Sequence, residues 1–142
     1  MKTLRTLFVL LTIVAFSCKE PKSDFLVNQS LLGNWQVYES GYSPGGDYVI
    51  DEVPTDPLKY IQFGKDQAFE SNYEGLEEVH YFNVVEENGR PILHLYTDQP
   101  GDEIRDNEQL VYKYRMEIRE DKLKLMYVYC IEGCHLGLIR LE

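Results

Sequence analysis

Basic residues are scarce in this chain. Fourteen Lys and Arg stand against 24 Asp and Glu, for a net charge of -10. A nucleic-acid binder needs a basic face to neutralise phosphate, so that function class is excluded and no nucleic-acid partner is expected. Proline (6) and glycine (10) are too few for a collagenous or low-complexity chain. Long hydrophobic runs are missing too. Leu7 to Phe16 is apolar over about ten residues, half of what a helix needs to span a bilayer. No glycine-rich phosphate loop, nucleophile elbow or zincin motif occurs. After residue 25 no window sustains a helical period. What the chain does have is tyrosine, 11 of them, within an aromatic content of 13% that excludes a disordered acidic tail. At 142 residues it is the size of one domain.

The first 17 residues read as an export signal. Lys2 and Arg5 give a positive start, the apolar run follows, and the small residue Ser17 ends it. Ala15-Phe16-Ser17-Cys18 resembles the lipobox of bacterial lipoproteins. The resemblance implies cleavage before Cys18 and acylation of Cys18 by palmitate-type chains. Each acyl CH₂ buried in lipid contributes about 0.8 kcal/mol, and two or more chains anchor a protein stably. Residues 18–30 would form a polar tether, with the folded domain at 31–142. Lys19-Glu20 is similar to signals that send some lipoproteins to the outer face of the outer membrane. The expected address is therefore the bacterial cell envelope, with the lipid on Cys18 as the membrane contact and the protein a monomer. Removal of residues 1–17 takes Lys2 and Arg5 with it and leaves 125 residues of net charge -12. Anionic headgroups repel such a surface, which leaves the lipid as the anchor.

Beyond the tether, strand-like runs recur between turn signals. Eight are read, at 34–41, 58–63, 68–73, 77–86, 90–97, 108–119, 122–130 and 135–141, and they point to an all-β antiparallel barrel or sandwich. Three prolines and two glycines make 42–57 a long loop. In the clearest strand Leu110, Tyr112, Tyr114, Met116 and Ile118 share one face. A two-residue connection, Glu120-Asp121, predicts that Arg119 pairs with Lys122. Tyr114 would then face Tyr127, and Tyr112 would face Tyr129. Asn88-Gly89 signals a second tight hairpin, pairing Glu87 with Arg90, Val84 with Leu93 and Phe82 with Leu95. His80 joins that apolar face, and His94 lies on the other beside Asn83.

Gly33-Asn34-Trp35, opening the first strand, is similar to the Gly-x-Trp motif of lipocalins and related calycin barrels. In that family the tryptophan closes one end of the barrel and an arginine of the last strand packs across its ring. Arg140 occupies the matching place here. The resemblance implies an up-and-down barrel of about eight strands, closed by Gly33, Trp35 and Arg140, whose cup binds a small, mainly apolar molecule.

Candidate chemistry is sparse. Cys130-Ile-Glu-Gly-Cys134 reads as a hairpin loop with Gly133 left-handed and the cysteines facing each other, a spacing a disulfide can span in an oxidising compartment. A redox pair, a metal site with His135 and two free thiols are the alternatives. His80, His94 and His135 fall on separate strands without ligand spacing, so half-buried, hydrogen-bonded histidines are expected. The acidic runs at 98–108 and 47–56 read as solvated rather than as calcium loops. No metal or cofactor is expected, and nothing selects a catalytic pair. Tyr112, Tyr114, Tyr127 and Tyr129 combine apolar area with a hydroxyl and are the candidate pocket wall. The function expected is non-catalytic binding of a small apolar ligand. The alternative is a filled barrel that contacts a protein or surface polymer through its loops. An enzyme built in the cup comes third.

Overall fold

A computed structural model describes residues 29–100 and 110–142 of the chain. The signal, Cys18, the tether up to residue 28 and the acidic run 101–109 lie outside the described residues. Among the described residues nine strands follow in chain order: β1 (Gly33–Tyr42), β2 (Val49–Glu52), β3 (Tyr60–Phe63), β4 (Phe69–Ser71), β5 (Tyr81–Glu87), β6 (Arg90–Tyr96), β7 (Leu110–Arg119), β8 (Lys122–Tyr127) and β9 (His135–Arg140). Eight of them form an antiparallel sheet in the order β4-β3-β1-β9-β8-β7-β6-β5, and β2 adds to β1. A bridge between Ala68 and Tyr81 and a hydrogen bond from the Phe69 N–H to the His80 carbonyl (2.7 Å) bring β4 against β5. The sheet is thereby a nearly closed barrel. Closure matters because an open edge would expose a row of unpaired backbone groups.

The hairpins have the register that their turns demand. Arg119 pairs with Lys122, and Tyr114 with Tyr127. Glu87 pairs with Arg90, Val84 with Leu93 and Phe82 with Leu95, around Asn88 and Gly89, both at positive φ. The run 42–57 departs from the expected loop. Its middle, Val49–Glu52, folds back as β2 and pairs with residues 39–42 of β1. The prolines and glycines that signal a loop flank these four residues and do not fall within them. His80 also departs from expectation. It precedes β5 and is exposed, because the β4–β5 connection ends only at Tyr81.

Period-two alternation fills the interior. Phe63, Ile61, Leu93, Leu95, Leu123, Leu125 and Leu138 are fully buried around Trp35. Phe63 packs edge-on against both Phe69 and Phe82. One end of the barrel is closed by a clasp. The Trp35 indole N–H donates to the Leu31 carbonyl at 2.7 Å, and the Arg140 guanidinium lies 4.2 Å above the indole ring. Arg140 also donates to the carbonyls of Leu32 (2.8 Å) and Ser30, which caps the helical turn at 29–31. Gly33 holds φ at 126°, and a Cβ there would come 2.9 Å from the guanidinium, so both the backbone and the space call for glycine.

The clasp generates a prediction. Trp35→Ala should destabilise the protein by about 3–5 kcal/mol, as a large core truncation. Arg140→Ala should cost about 1–2 kcal/mol, from the lost stacking and the uncapped carbonyls. Urea unfolding followed by far-UV circular dichroism measures both, and a larger loss for Arg140→Ala would reverse this ranking of the two contacts.

Candidate functional site

The opposite end of the barrel is a mouth built by tyrosines. Tyr112 and Tyr114 enter from β7 and Tyr127 from β8, placed there by the Arg119–Lys122 register. Their ring centroids stand 5.5 to 6.2 Å apart. Residues 72–80, between β4 and β5, fold across this end. Leu76 and Val79 turn inward and are buried, and the Tyr112 hydroxyl donates to the Gly75 carbonyl at 2.8 Å. A cleft of about 280 Å³ remains, lined by Ser40, Tyr42, Tyr73 and the Tyr112–Tyr114–Tyr127 cluster, with Leu136 at its base. A second cleft, about 370 Å³, lies at the clasped end beside Gln29, Leu32 and Phe82, and has one aromatic ring against the mouth's five.

Tyr129 lies elsewhere than expected. Strand β8 stops at Tyr127, so Tyr112 and Tyr129 do not pair. Tyr129 is 61% exposed, with its ring against the outer side of Tyr127 at 5.7 Å. The reason lies in the next residues. The Tyr127 N–H already bonds the Cys134 carbonyl (2.9 Å), which turns 128–134 out of the sheet. Cys130 and Cys134 face each other with their sulfurs 1.97 Å apart, and Gly133 is left-handed at φ 84°. Ile131, at the tip of this stapled turn, is wholly exposed.

Tyr42 and Tyr73 do not emerge from strand alternation alone. A bulge in β1 explains Tyr42. Val37 pairs with Leu138 and Glu39 with Gly137, so Tyr38 is an extra residue that reverses the facing of the rest of the strand. Ser40 then points inward, while Glu39 and Gly41 lie on the outer face beside His135 and Gly137. Tyr73 reaches the mouth from the 72–80 connection, where no period applies.

The same bulge assembles a polar relay on the barrel's outer wall. His135 is 4% exposed. Its Nε2 meets Glu39 Oε1 at 3.1 Å, and its Nδ1 meets the Tyr48 hydroxyl. Gly137 leaves room for Glu39, whose Oε1 would stand 2.7 Å from a Cβ there. Gly41 does the same for His135 and Tyr48. A glycine in each of two neighbouring strands is the sequence signal that could have revealed this relay. Burial and then the Glu39 charge raise the Tyr48 phenol above its ordinary value, so it remains a neutral donor. His94 sits in a comparable arrangement on β6. Its Nε2 lies 3.0 Å from Glu87 Oε1, and its Nδ1 lies 3.1 Å from the Tyr96 hydroxyl. Lys113 meets the same Glu87 oxygen at 2.7 Å. The hydrogen bond from Lys113, with a lesser one from His94, holds the Glu87 carboxyl below its usual range. His80, His94 and His135 are thus kept apart, and among the described residues no three His, Cys, Asp or Glu side chains converge on one point. Asp98, and the first-loop acids Asp47, Asp51, Glu52 and Asp56, are exposed to solvent.

No family model matches the chain, no curated protein matches it, and no solved structure matches it.

Tyr114 provides a test of the mouth. Desolvation, with the neighbouring Tyr112 and Tyr127 phenols adding to it, pushes its pKa well above the ordinary value of 10.0. A group raised in the folded state stabilises fully below its unfolded pKa, and that stability is lost as pH rises above it. Unfolding at alkaline pH should therefore be driven in part by Tyr114, and Tyr114→Phe should move the alkaline unfolding midpoint upward. Tyrosinate absorbance near 295 nm, recorded beside circular dichroism, checks this. Full ionisation of every tyrosine before the circular dichroism changes would refute it.

Proposed function

We propose that this chain is a lipocalin-like lipoprotein of the bacterial cell envelope, anchored by acyl chains on Cys18, that binds a small, mainly apolar ligand without catalysis. The observation that carries the reading is the tyrosine-lined mouth. Five phenol rings converge on a cleft of about 280 Å³ at one end of an otherwise filled barrel. Such a wall offers apolar area for burial and hydroxyls for orientation, which is what small-molecule sites use. The Trp35–Arg140 clasp supports the lipocalin-like part of the reading, because it joins the first and last strands as that family's motif implies. The site is shallower than a deep calyx, since Leu76 and Val79 occupy the space a larger ligand would take.

A second reading, a filled barrel that docks on a partner protein or surface polymer, has its own observation. Ile131 and Tyr129 project from a turn stapled by Cys130 and Cys134. Neighbouring exposed apolar side chains of this kind offer a contact surface to a partner.

Thermal unfolding against a panel of fatty acids, sterols and small aromatic compounds separates the two. A ligand of the mouth binds only the folded state and raises Tm with concentration. Tyr127→Ala should weaken that binding by about 1–2 kcal/mol. Stabilisation that survives Tyr127→Ala, or that is abolished by Ile131→Ser, would move the function to the stapled turn. The anchor has a separate test. Cys18→Ser should be exported and recovered in the soluble fraction, without the acyl mass carried by the unaltered protein. A variant that stays with the membrane would remove Cys18 from the anchor.

A further inference from the structure

Acidic side chains outnumber basic ones around the mouth, with Lys59, which donates to the Asn72 carbonyl, and Arg115 and Lys124 beside the stapled turn as the basic exceptions. Three described segments frame it: 41–58, which runs through β2; 72–80, which crosses the mouth; and 128–134, the stapled turn. Together they contain eight Asp and Glu and no Lys or Arg. The residues lining the cleft itself include no carboxylate and no amine or guanidinium. Its walls are tyrosine rings from four different segments, and Tyr112 and Tyr127 stand at 64° to each other with centroids 5.9 Å apart, as two walls of a corner. His135, whose ring belongs to the outer-wall relay, also borders the cleft, and both its ring nitrogens are engaged, by Glu39 and Tyr48.

Each class of ligand can be set against this arrangement. An anion finds no positive partner and meets an unfavourable field. A calcium or magnesium ion wants about six oxygen ligands, several of them carboxylates, and the lining offers phenols and one serine hydroxyl. A neutral hydrocarbon gains from burial but nothing from the acidic surround. A positively charged group with an apolar surface gains from all of it. Aromatic faces carry negative quadrupole potential, tyrosine faces attract quaternary ammonium groups, and such a group has no N–H that would need a carboxylate acceptor. The acidic segments raise the local concentration of cations outside the mouth.

We propose that the tyrosine cleft is an organic-cation site that takes a quaternary ammonium group, held by cation–π contact with Tyr112, Tyr114 and Tyr127 and steered there by the acidic segments around the mouth. This rests on the mouth being the ligand site and names the chemistry of what enters it. The ligand's apolar methyl shell fills the space between the rings, and its charge distinguishes it from a neutral molecule of the same shape. The cation–π part persists at high salt, while the steering part is screened.

The test compares choline and phenyltrimethylammonium with 3,3-dimethylbutan-1-ol, the uncharged carbon counterpart of choline, on the mature chain. Titration calorimetry measures the three affinities. Choline should bind about tenfold or more tightly than its carbon counterpart at low salt. Tyr127→Leu should remove most of that preference, whereas Tyr127→Phe, which keeps the ring, should retain it. Because Tyr127→Leu disturbs packing, Glu74→Gln with Glu78→Gln gives an independent check. Both residues are exposed, and neutralising them should weaken choline severalfold at low salt and leave the alcohol unchanged. Equal or tighter binding of the alcohol would overturn the cation assignment and leave the apolar-ligand reading standing. Absence of binding by all three probes, with no shift in Tm, would overturn the cation assignment, while the apolar-ligand reading is decided separately by the fatty-acid, sterol and aromatic panel.

Discussion

Strand β1 is hydrogen-bonded along both edges, and the barrel depends on that. On one side it pairs with β9 from Trp35 to Gly41; on the other it pairs first with β3 and then with β2. Trp35 sits where β1, β3 and β9 run side by side, paired with both Ile61 and Arg140. Its ring therefore fills the clasped end while its N–H secures the Leu31 carbonyl and Arg140 covers its face. At the Trp35–Arg140 pair the first and last described strands, joined along their length, also meet through their side chains. A change at Trp35 acts on the core, on the closing helical turn and on the final strand together.

The bulge at Tyr38 gives the same strand a second task. Without it, strict alternation would point Glu39 and Gly41 into the barrel and Ser40 out of it. One extra residue turns the carboxylate outward to His135, and it opens the inner wall at the mouth where a serine and not a glutamate faces the cleft. An unpaired carboxylate inside the mouth would have cost desolvation free energy that the neutral lining avoids. The outer relay and the uncharged cleft are two results of one irregularity.

Much of this architecture was legible from the residues alone, and the reason is local. Arg119 and Lys122 flank a two-residue turn, and Asn88-Gly89 is a turn of the same length, so each hairpin's register follows from chemistry spanning only a few residues. Alternation then assigns Tyr112, Tyr114 and Tyr127 to the inner face without further information. The parts that escaped depend on long-range pairing. Nothing within 42–57 announces β2, because its four residues become a strand only by joining the end of β1. Tyr38 looks like an ordinary strand residue, and its bulge exists only relative to β9. Tyr129 continues the alternation of β8 perfectly well, but the turn through Cys130 and Cys134 takes the chain out of the sheet first. Counting strands gives the eight but leaves barrel or sandwich open, and the barrel is what the Gly33, Trp35 and Arg140 resemblance implies; the full composition of the mouth follows from neither.

The clasp also sets a direction. The described chain enters at 29–31, directly beneath Trp35 and Arg140, and the tyrosine mouth lies at the other end of the strands. Anything that holds the protein by its N-terminal side grips it by the sealed end. The barrel would then stand like a vessel on its base, its aromatic rim and acidic loops turned toward the surrounding medium and away from whatever it is fixed to. Access to the cleft would be governed by that medium and not by the attachment surface.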